Sequence, residues 1–331
     1  MMGRRMNGRR MSTSIGKLDF DDPRSVDFFV DMSWETEKEN GLEPAVDGDA
    51  DARAAHRKEL LEFVGEQTNK AVLCTREDGR RVGLAWVAEA NPGEPWDLSS
   101  ACAWIYDIRV NPAHRRRGYA KCLLDAVQAW AAHQGFDRIG LHVLDRNRAA
   151  VVLYETAGYR TRNAYYQKSV TDEIQAHVQG VDRVERLDDD AHGLVRRRFA
   201  ALARTTESVA SDAEIERHYA AYEERYAGRS RNEIRVEGRD PDGGLLGCAW
   251  GYASSGDVAA DRYVWLRDLC VADALDGAAT MQNLLTAVET WAVEQGLPAV
   301  RVPAHASELL LLQALDRAGY GATNRFLYRA V

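Results

Sequence analysis

Residues 111–121 read Asn111-Pro112-Ala113-His114-Arg115-Arg116-Arg117-Gly118-Tyr119-Ala120-Lys121, between a strand-like stretch, Trp104 to Val110, and a helix-like one, Lys121 to Ala132. A loop that opens a helix directly after a strand lets successive backbone N–H groups converge on anionic oxygens, helped by the positive end of the helix. Gly118 and Ala120 carry too little side chain to hold a phosphate away from the main chain. The stretch therefore predicts a pyrophosphate cradle built largely of backbone.

Further along the chain lie Leu141-His142-Val143-Leu144-Asp145-Arg146-Asn147 and Leu153-Tyr154-Glu155-Thr156-Ala157-Gly158-Tyr159. The first reads as a strand running into an Asn that opens a helix, and the second as the close of that helix. In order and spacing the two regions resemble the motifs of the GCN5-related N-acetyltransferase (GNAT) superfamily. Its acyl-CoA loop has the signature Arg/Gln-x-x-Gly-x-Gly/Ala, and Arg115, Gly118 and Ala120 fill the three places.

The resemblance implies acetyl-CoA as acyl donor, without a metal. It implies that the main chain of Ile108 to Val110 holds the pantetheine arm and polarises the thioester carbonyl. Arg115, Arg116, Arg117 and Gly118, with Tyr119, Ala120 and Lys121 of the first helical turn, would meet the pyrophosphate. Asn147 would touch the cofactor arm, a role that can coexist with capping its helix. By the same resemblance Tyr154 protonates the CoA sulfur and His142 serves as base, directly or through water. On a strand His142 points away from Leu141 and Val143, and an imidazole pKa of about 6.5 suits a base near neutrality. Asp107 is the rival base.

The second part of the chain repeats the first at a constant shift. Asp107 and Asp268 lie 161 residues apart, as do Val110 and Val271, Leu123 and Leu284, Trp130 and Trp291, and Gly158-Tyr159 and Gly319-Tyr320. Leu123, Val127, Trp130 and Ala131 share one helical face, and Leu284, Val288, Trp291 and Ala292 preserve it. The chemistry is not preserved. Under the same shift Arg115, Gly118 and Ala120 become Asp276, Ala279 and Met281, while His142 becomes Pro303, Asn147 becomes Glu308 and Tyr154 becomes Leu315. The expected fold is α/β (α+β), two tandem GNAT folds, each a mixed, mostly antiparallel sheet flanked by helices. Residues 1–15 are expected to be a disordered extension, 16–178 the catalytic copy and 179–331 a degenerate one, with the junction near Gln175 to Val181. Asp268 survives where the rest of the site is lost, which marks Asp107 as structural.

Composition narrows the partners. A net charge of -8 argues against nucleic acid and suits a cationic acceptor. No apolar stretch approaches a membrane span. Five scattered cysteines lack metal-ligand spacing and fit a reducing, cytoplasmic setting. By the same resemblance the acceptor site is expected at the first two helices, their connection and the loop between the third and fourth strands, where Trp34, Glu35, Glu37 and Glu39, then Glu43, Asp47 and Asp49, then Glu89, Glu94, Trp96 and Asp97 lie. The leading expectation is transfer of acetyl to the primary amine of a small, cationic metabolite or antibiotic, by a monomer or a homodimer. A protein N-terminal or lysine acetyltransferase and a non-catalytic acyl-CoA sensor are the alternatives.

Overall fold

The computed structural model describes residues 5–6, 9–10, 13–40, 50–91, 93–171, 178–206, 210–226, 232–254, 262–272 and 277–331. Strands β1 (Arg5–Met6) and β2 (Arg9–Arg10) pair only with each other. The main sheet begins at β3 (Thr13–Lys17), an edge strand paired with β4 (Lys70–Glu77), so Thr13 to Ile15 belong to the sheet rather than to a disordered extension. Helices α1 (Pro23–Asn40) and α2 (Ala50–Glu66) separate the two strands. A two-residue turn joins β4 to β5 (Arg80–Ala90); Asp78 and Gly79 take the positive φ values, 48° and 82°, that such hairpins demand. Then follow β6 (Cys102–Val110), α3 (Tyr119–Gln134), β7 (Arg138–Leu144), α4 (Arg148–Thr156) and β8 (Arg160–Ser169).

The second half runs through the same order. Its elements are β9 (Val181–Arg183), α5 (Asp189–Thr205), α6 (Asp212–Tyr226), β10 (Glu233–Arg239), β11 (Leu245–Ala253), β12 (Val264–Val271), α7 (Gly277–Glu294), β13 (Ala299–His305), α8 (Leu309–Arg317) and β14 (Gly321–Ala330). Of the expected junction, Gln175 to Val181, residues 175–177 lie outside the described residues, and Val178 to Gly180 lead into β9.

Helices cover both faces of each half, which is why β5 is buried without alternation from Val82 to Ala88. On one face Leu123, Leu124, Val127 and Trp130 of α3 pack on Ala85, Ile105 and Leu141. On the other, Phe29 and Val30 of α1 and Leu60 and Val64 of α2 pack on Val72, Leu84 and Trp86. Leu284, Leu285, Val288 and Trp291 of α7 repeat the first arrangement in the second half.

Two features of the sheet set up everything that follows. Parallel strands β6 and β7 pair only at Ala103–Ile105 with Ile139–Leu141, and β12 and β13 only at Val264–Trp265 with Val300–Arg301. Beyond those pairs each set splays. A bulge in the β5–β6 ladder at Trp86/Val87 coincides with the point where β6 leaves β7, and one at Trp250/Gly251 does the same for β12.

The second feature is an exchange of last strands. The order around the centre of the 12-stranded sheet is β7-β14-β8-β13, so the final strand of each half pairs with the other half's parallel strand. Leu144 faces Asn324, and 161 residues on, His305 faces Asn163; His142 faces Phe326, and Pro303 faces Tyr165. In the β8–β14 ladder Ala164 lies opposite Arg325, its own counterpart under the shift, so a local pseudo-twofold axis passes there.

Candidate active site

The loop after β6 is shaped by its backbone. Asn111 caps a short 3-10 turn, Pro112–His114, through its side chain and Ala113 N at 3.1 Å. Arg116 then takes φ 62° and Gly118 φ 89°, which swings the chain into α3. Gly118 is the N-cap of α3 and no side chain caps the helix, so its first N–H groups are left for an anion. A Cβ on Gly118 would meet no atom within 4 Å, so the glycine serves its left-handed backbone rather than tight packing.

The side chains of the loop divide. Arg117 forms an ion pair with Glu77, and the Tyr119 hydroxyl donates to Glu77 at 2.5 Å. Arg115 donates to Val110 O at 3.1 Å and pairs with Glu39 at 2.8 Å. Lys121 pairs with Asp125 at 2.9 Å. Arg117 and Tyr119 thus brace the loop on β4, and Tyr119 is buried. Burial, with Glu77 beside it, pushes the Tyr119 phenol up to about 12. Arg115, Arg116, Arg117, Gly118 and Lys121 are all exposed at the cradle, with Arg115, Arg117 and Lys121 held in ion pairs. Ile108 and Val110 lie on the stretch of β6 that has left β7, where main-chain groups border the opening. Asn147 is exposed at the start of α4 and its Oδ1 accepts from Ala150 N at 3.2 Å, the capping bond.

The two sequence-predicted catalytic residues sit apart in the sandwich. Tyr154 is buried in the α3–α4 core, edge-on to Tyr159 at 5.9 Å. Its phenol pKa is raised first by burial and then by the carboxylate of Asp107, which places those two groups within electrostatic reach of each other. His142 points to the opposite face, stacks on Phe326 at 5.1 Å and has its Nε2 2.7 Å from Asn324 Nδ2. The amide donates there, so the Nε2 lone pair is already engaged. Protein packed around the ring lowers its pKa below the ordinary histidine value, though one edge stays open to solvent. Both neighbours come from β14, at the far end of the sequence.

Between α1, α2 and the splayed part of β6 lies a cavity of about 340 Å³. Asp107 is in its wall and accepts the Thr36 hydroxyl at 3.3 Å, while Arg109 donates to the same Thr36 oxygen at 2.9 Å and pairs with Glu39. Trp86, Tyr106 and Phe63 form an aromatic wall, Trp86 stacked on Tyr106 at 4.8 Å. His56 and Glu59 of α2 also line it.

Asp268, the counterpart of Asp107, is surrounded differently. Arg198 of α5 pairs with it at 2.8 Å and with Glu308 at 2.7 Å, and Tyr222 donates to it at 2.5 Å. Trp96, from the β5–β6 connection of the first half, lies 5.4 Å from that guanidinium. Trp96 and Asp97 therefore do not line an acceptor pocket: Trp96 is buried among residues of α5 and α6, and Asp97 pairs with Arg162 at 3.2 Å. Glu94 lies within electrostatic reach of Arg267 and Arg198 of the second half. Of the remaining acidic residues expected there, Glu43, Asp47 and Asp49 lie outside the described residues, as does the side chain of Glu37. At α7 the helix start is closed: a Cβ on Gly277 would come within 2.8 Å of Leu310, and Met281 is buried.

Residues 32–159 match the model of the acetyltransferase (GNAT) family. The uncharacterized N-acetyltransferase YdgE of Bacillus subtilis (strain 168) is 32% identical over 96 residues, which is 29% of this chain and 58% of that protein. YycN, an uncharacterized N-acetyltransferase of the same organism, is 33% identical over 89 residues, 27% of this chain and 54% of that protein. The chain thus spans little more than half the length of these curated relatives. A GCN5-related N-acetyltransferase from Sphaerobacter thermophilus aligns with a TM-score of 0.53 at 13% identity, covering 96% of this chain and 95% of that one; it shares the fold along the whole length. Residues 32–159 thus form an acetyltransferase (GNAT) family domain, and the structure repeats the same order of elements in tandem along the second half. Among the described residues no helix is long and apolar enough to cross a membrane, and no cluster of three metal-ligating side chains occurs.

Proposed function

We propose that the first half transfers an acetyl group from acetyl-CoA to the primary amine of a small cationic molecule, and that the second half binds no CoA. The observation that carries the reading is the splay of β6 from β7, which opens between the uncapped start of α3 on one side and the Asp107 cavity on the other. Acetyl-CoA is the substrate that would bridge them, its pyrophosphate at Gly118 and its thioester at the splay.

The amine must lose a proton as its nitrogen bonds to the carbonyl carbon, and the sulfur must gain one as the C–S bond breaks. We assign the first task to Asp107, directly or through water, since it faces the cavity while the Nε2 of His142 is held by Asn324. Tyr154 takes the second. Its raised pKa keeps the phenol protonated near neutrality, ready to donate. Arg198 supports the cationic acceptor: in the second half it is a cation seated on the counterpart of Asp107.

Calorimetric titration with acetyl-CoA should give one site per chain. Gly118→Glu should abolish it, and Ala279→Glu, an exposed position at the matching point of α7, should not. Two equivalent sites, or binding lost equally in both variants, would refute the assignment. Amine-dependent CoA release, read by thiol detection with mass spectrometry of the product, tests the transfer itself.

A further inference from the structure

The cavity above Asp107 has two polar ends. Asp107 and Tyr106 are half-buried on the sheet, whereas Glu59 and Phe63 of α2 are exposed at the mouth. Among the described residues no lysine or arginine lines it, and Glu59 pairs with no cationic side chain. One helical turn before Glu59, His56 turns a buried Nε2 without a hydrogen-bond partner among the described residues, while its ring packs on Trp34 at 5.1 Å. Trp86, Tyr106 and Phe63 touch one another at 4.8, 5.6 and 5.5 Å, so the wall between the two ends is continuous and apolar.

The second half gives an internal picture of what such a place holds. There a single guanidinium, Arg198, sits between two carboxylates, Asp268 and Glu308, with the Trp96 ring against it. At the matching positions of the first half stand Glu37 and Asn147 in place of Arg198 and Glu308, and Asp107 lines an open cavity whose other carboxylate, Glu59, comes from α2.

Resting on the reading of this cavity as the acceptor site, we propose that the acceptor is a linear diamine. Its reacting amine sits at Asp107, its methylene chain runs along Trp86, Tyr106 and Phe63, and its second ammonium is held by Glu59 and the Nε2 lone pair of His56. The Phe63 face adds a cation–π contact at the mouth. A monoamine of equal length leaves Glu59 and His56 unpaired, and an aryl amine offers them no donor.

The test compares α,ω-diamines of three to six carbons with n-alkylamines of matching length, by calorimetric titration and by CoA release from acetyl-CoA. At least one diamine should bind about fivefold more tightly than its monoamine, the gain of one partly screened ion pair, and should release CoA. Glu59→Gln should remove that advantage and leave acetyl-CoA affinity unchanged. Equal binding of monoamine and diamine, an advantage that survives in Glu59→Gln, or a phenethylamine that outbinds every diamine would each overturn the diamine assignment. If some other amine releases CoA and no diamine does, the diamine assignment alone fails. If no amine of any class releases CoA while acetyl-CoA still binds, the acyl-transfer reading fails with it.

Discussion

Tyr154 in the α3–α4 core and Asp107 in the cavity wall lie within electrostatic reach of each other, beside the point where β6 parts from β7. Tyr154→Phe keeps the ring in its core and removes the proton, so kcat should fall by about 10²–10⁴ with unchanged affinity for acetyl-CoA, measured by steady-state kinetics beside calorimetry. His142→Ala should leave kcat within a few-fold; a loss as deep as that of Tyr154→Phe would return the base role to His142. Glu94 supplies a different test. Burial raises its carboxyl from 4.5 to about 7, against the pull of Arg267 and Arg198. A carboxyl raised in the folded state contributes stability below its unfolded value, and that contribution is lost as pH climbs to the folded one. Glu94→Gln cannot ionise, so its melting temperature relative to the parent chain should be higher at pH 8 than at pH 4, by an effect of at most about 3 kcal/mol. An identical difference at both pH values would mean that the Glu94 carboxyl titrates alike in the folded and unfolded chain.

At the scale of elements, the parts of the site that a reader of the sequence can see are those made by neighbours in the chain. Gly118 and the start of α3 were legible because a turn followed by a helix is a local event, and Asn147 because a cap binds a residue three positions on. Asn147→Ala should cost about 1 kcal/mol of stability in thermal or urea unfolding, while Asn147→Asp should keep most of that stability; equal losses would show that the side-chain oxygen at the cap is not what the helix start needs. Partners brought by pairing of distant strands were not legible. Nothing near His142 announces Asn324 and Phe326, which reach it only through the β7–β14 ladder. Trp96 and Asp97 sat in the loop where an acceptor site was expected, yet they complete the other half. Asp107 was read as structural because its counterpart Asp268 persists; Asp268 has a partner of its own in Arg198, so its persistence says little about Asp107.

For the molecule as a whole, the exchanged strands make each half incomplete without the other. A chain ending at residue 179 would lose β14, leaving β7 and β8 without the strand that lies between them. β8 would lose β13 as well, so β7 is bared on one side and β8 on both; bare edges invite aggregation, and the shortened chain should be insoluble or associate, as read by size-exclusion chromatography and circular dichroism. A soluble, folded monomer would show that β8 can close against β7 unaided.

The facing pair Ala164 and Arg325 carries one last implication. Were two identical polypeptides to exchange these strands, every position on the axis would meet its own duplicate, and an arginine there would confront a second arginine. Joining both copies in one polypeptide releases that restriction. One copy keeps the arginine, which is held by Asp145 at 2.5 Å, and the other carries a methyl group that repels nothing. Covalent fusion thus permits an asymmetric seam that identical subunits could not adopt, and with it the divergence of one lobe from the other.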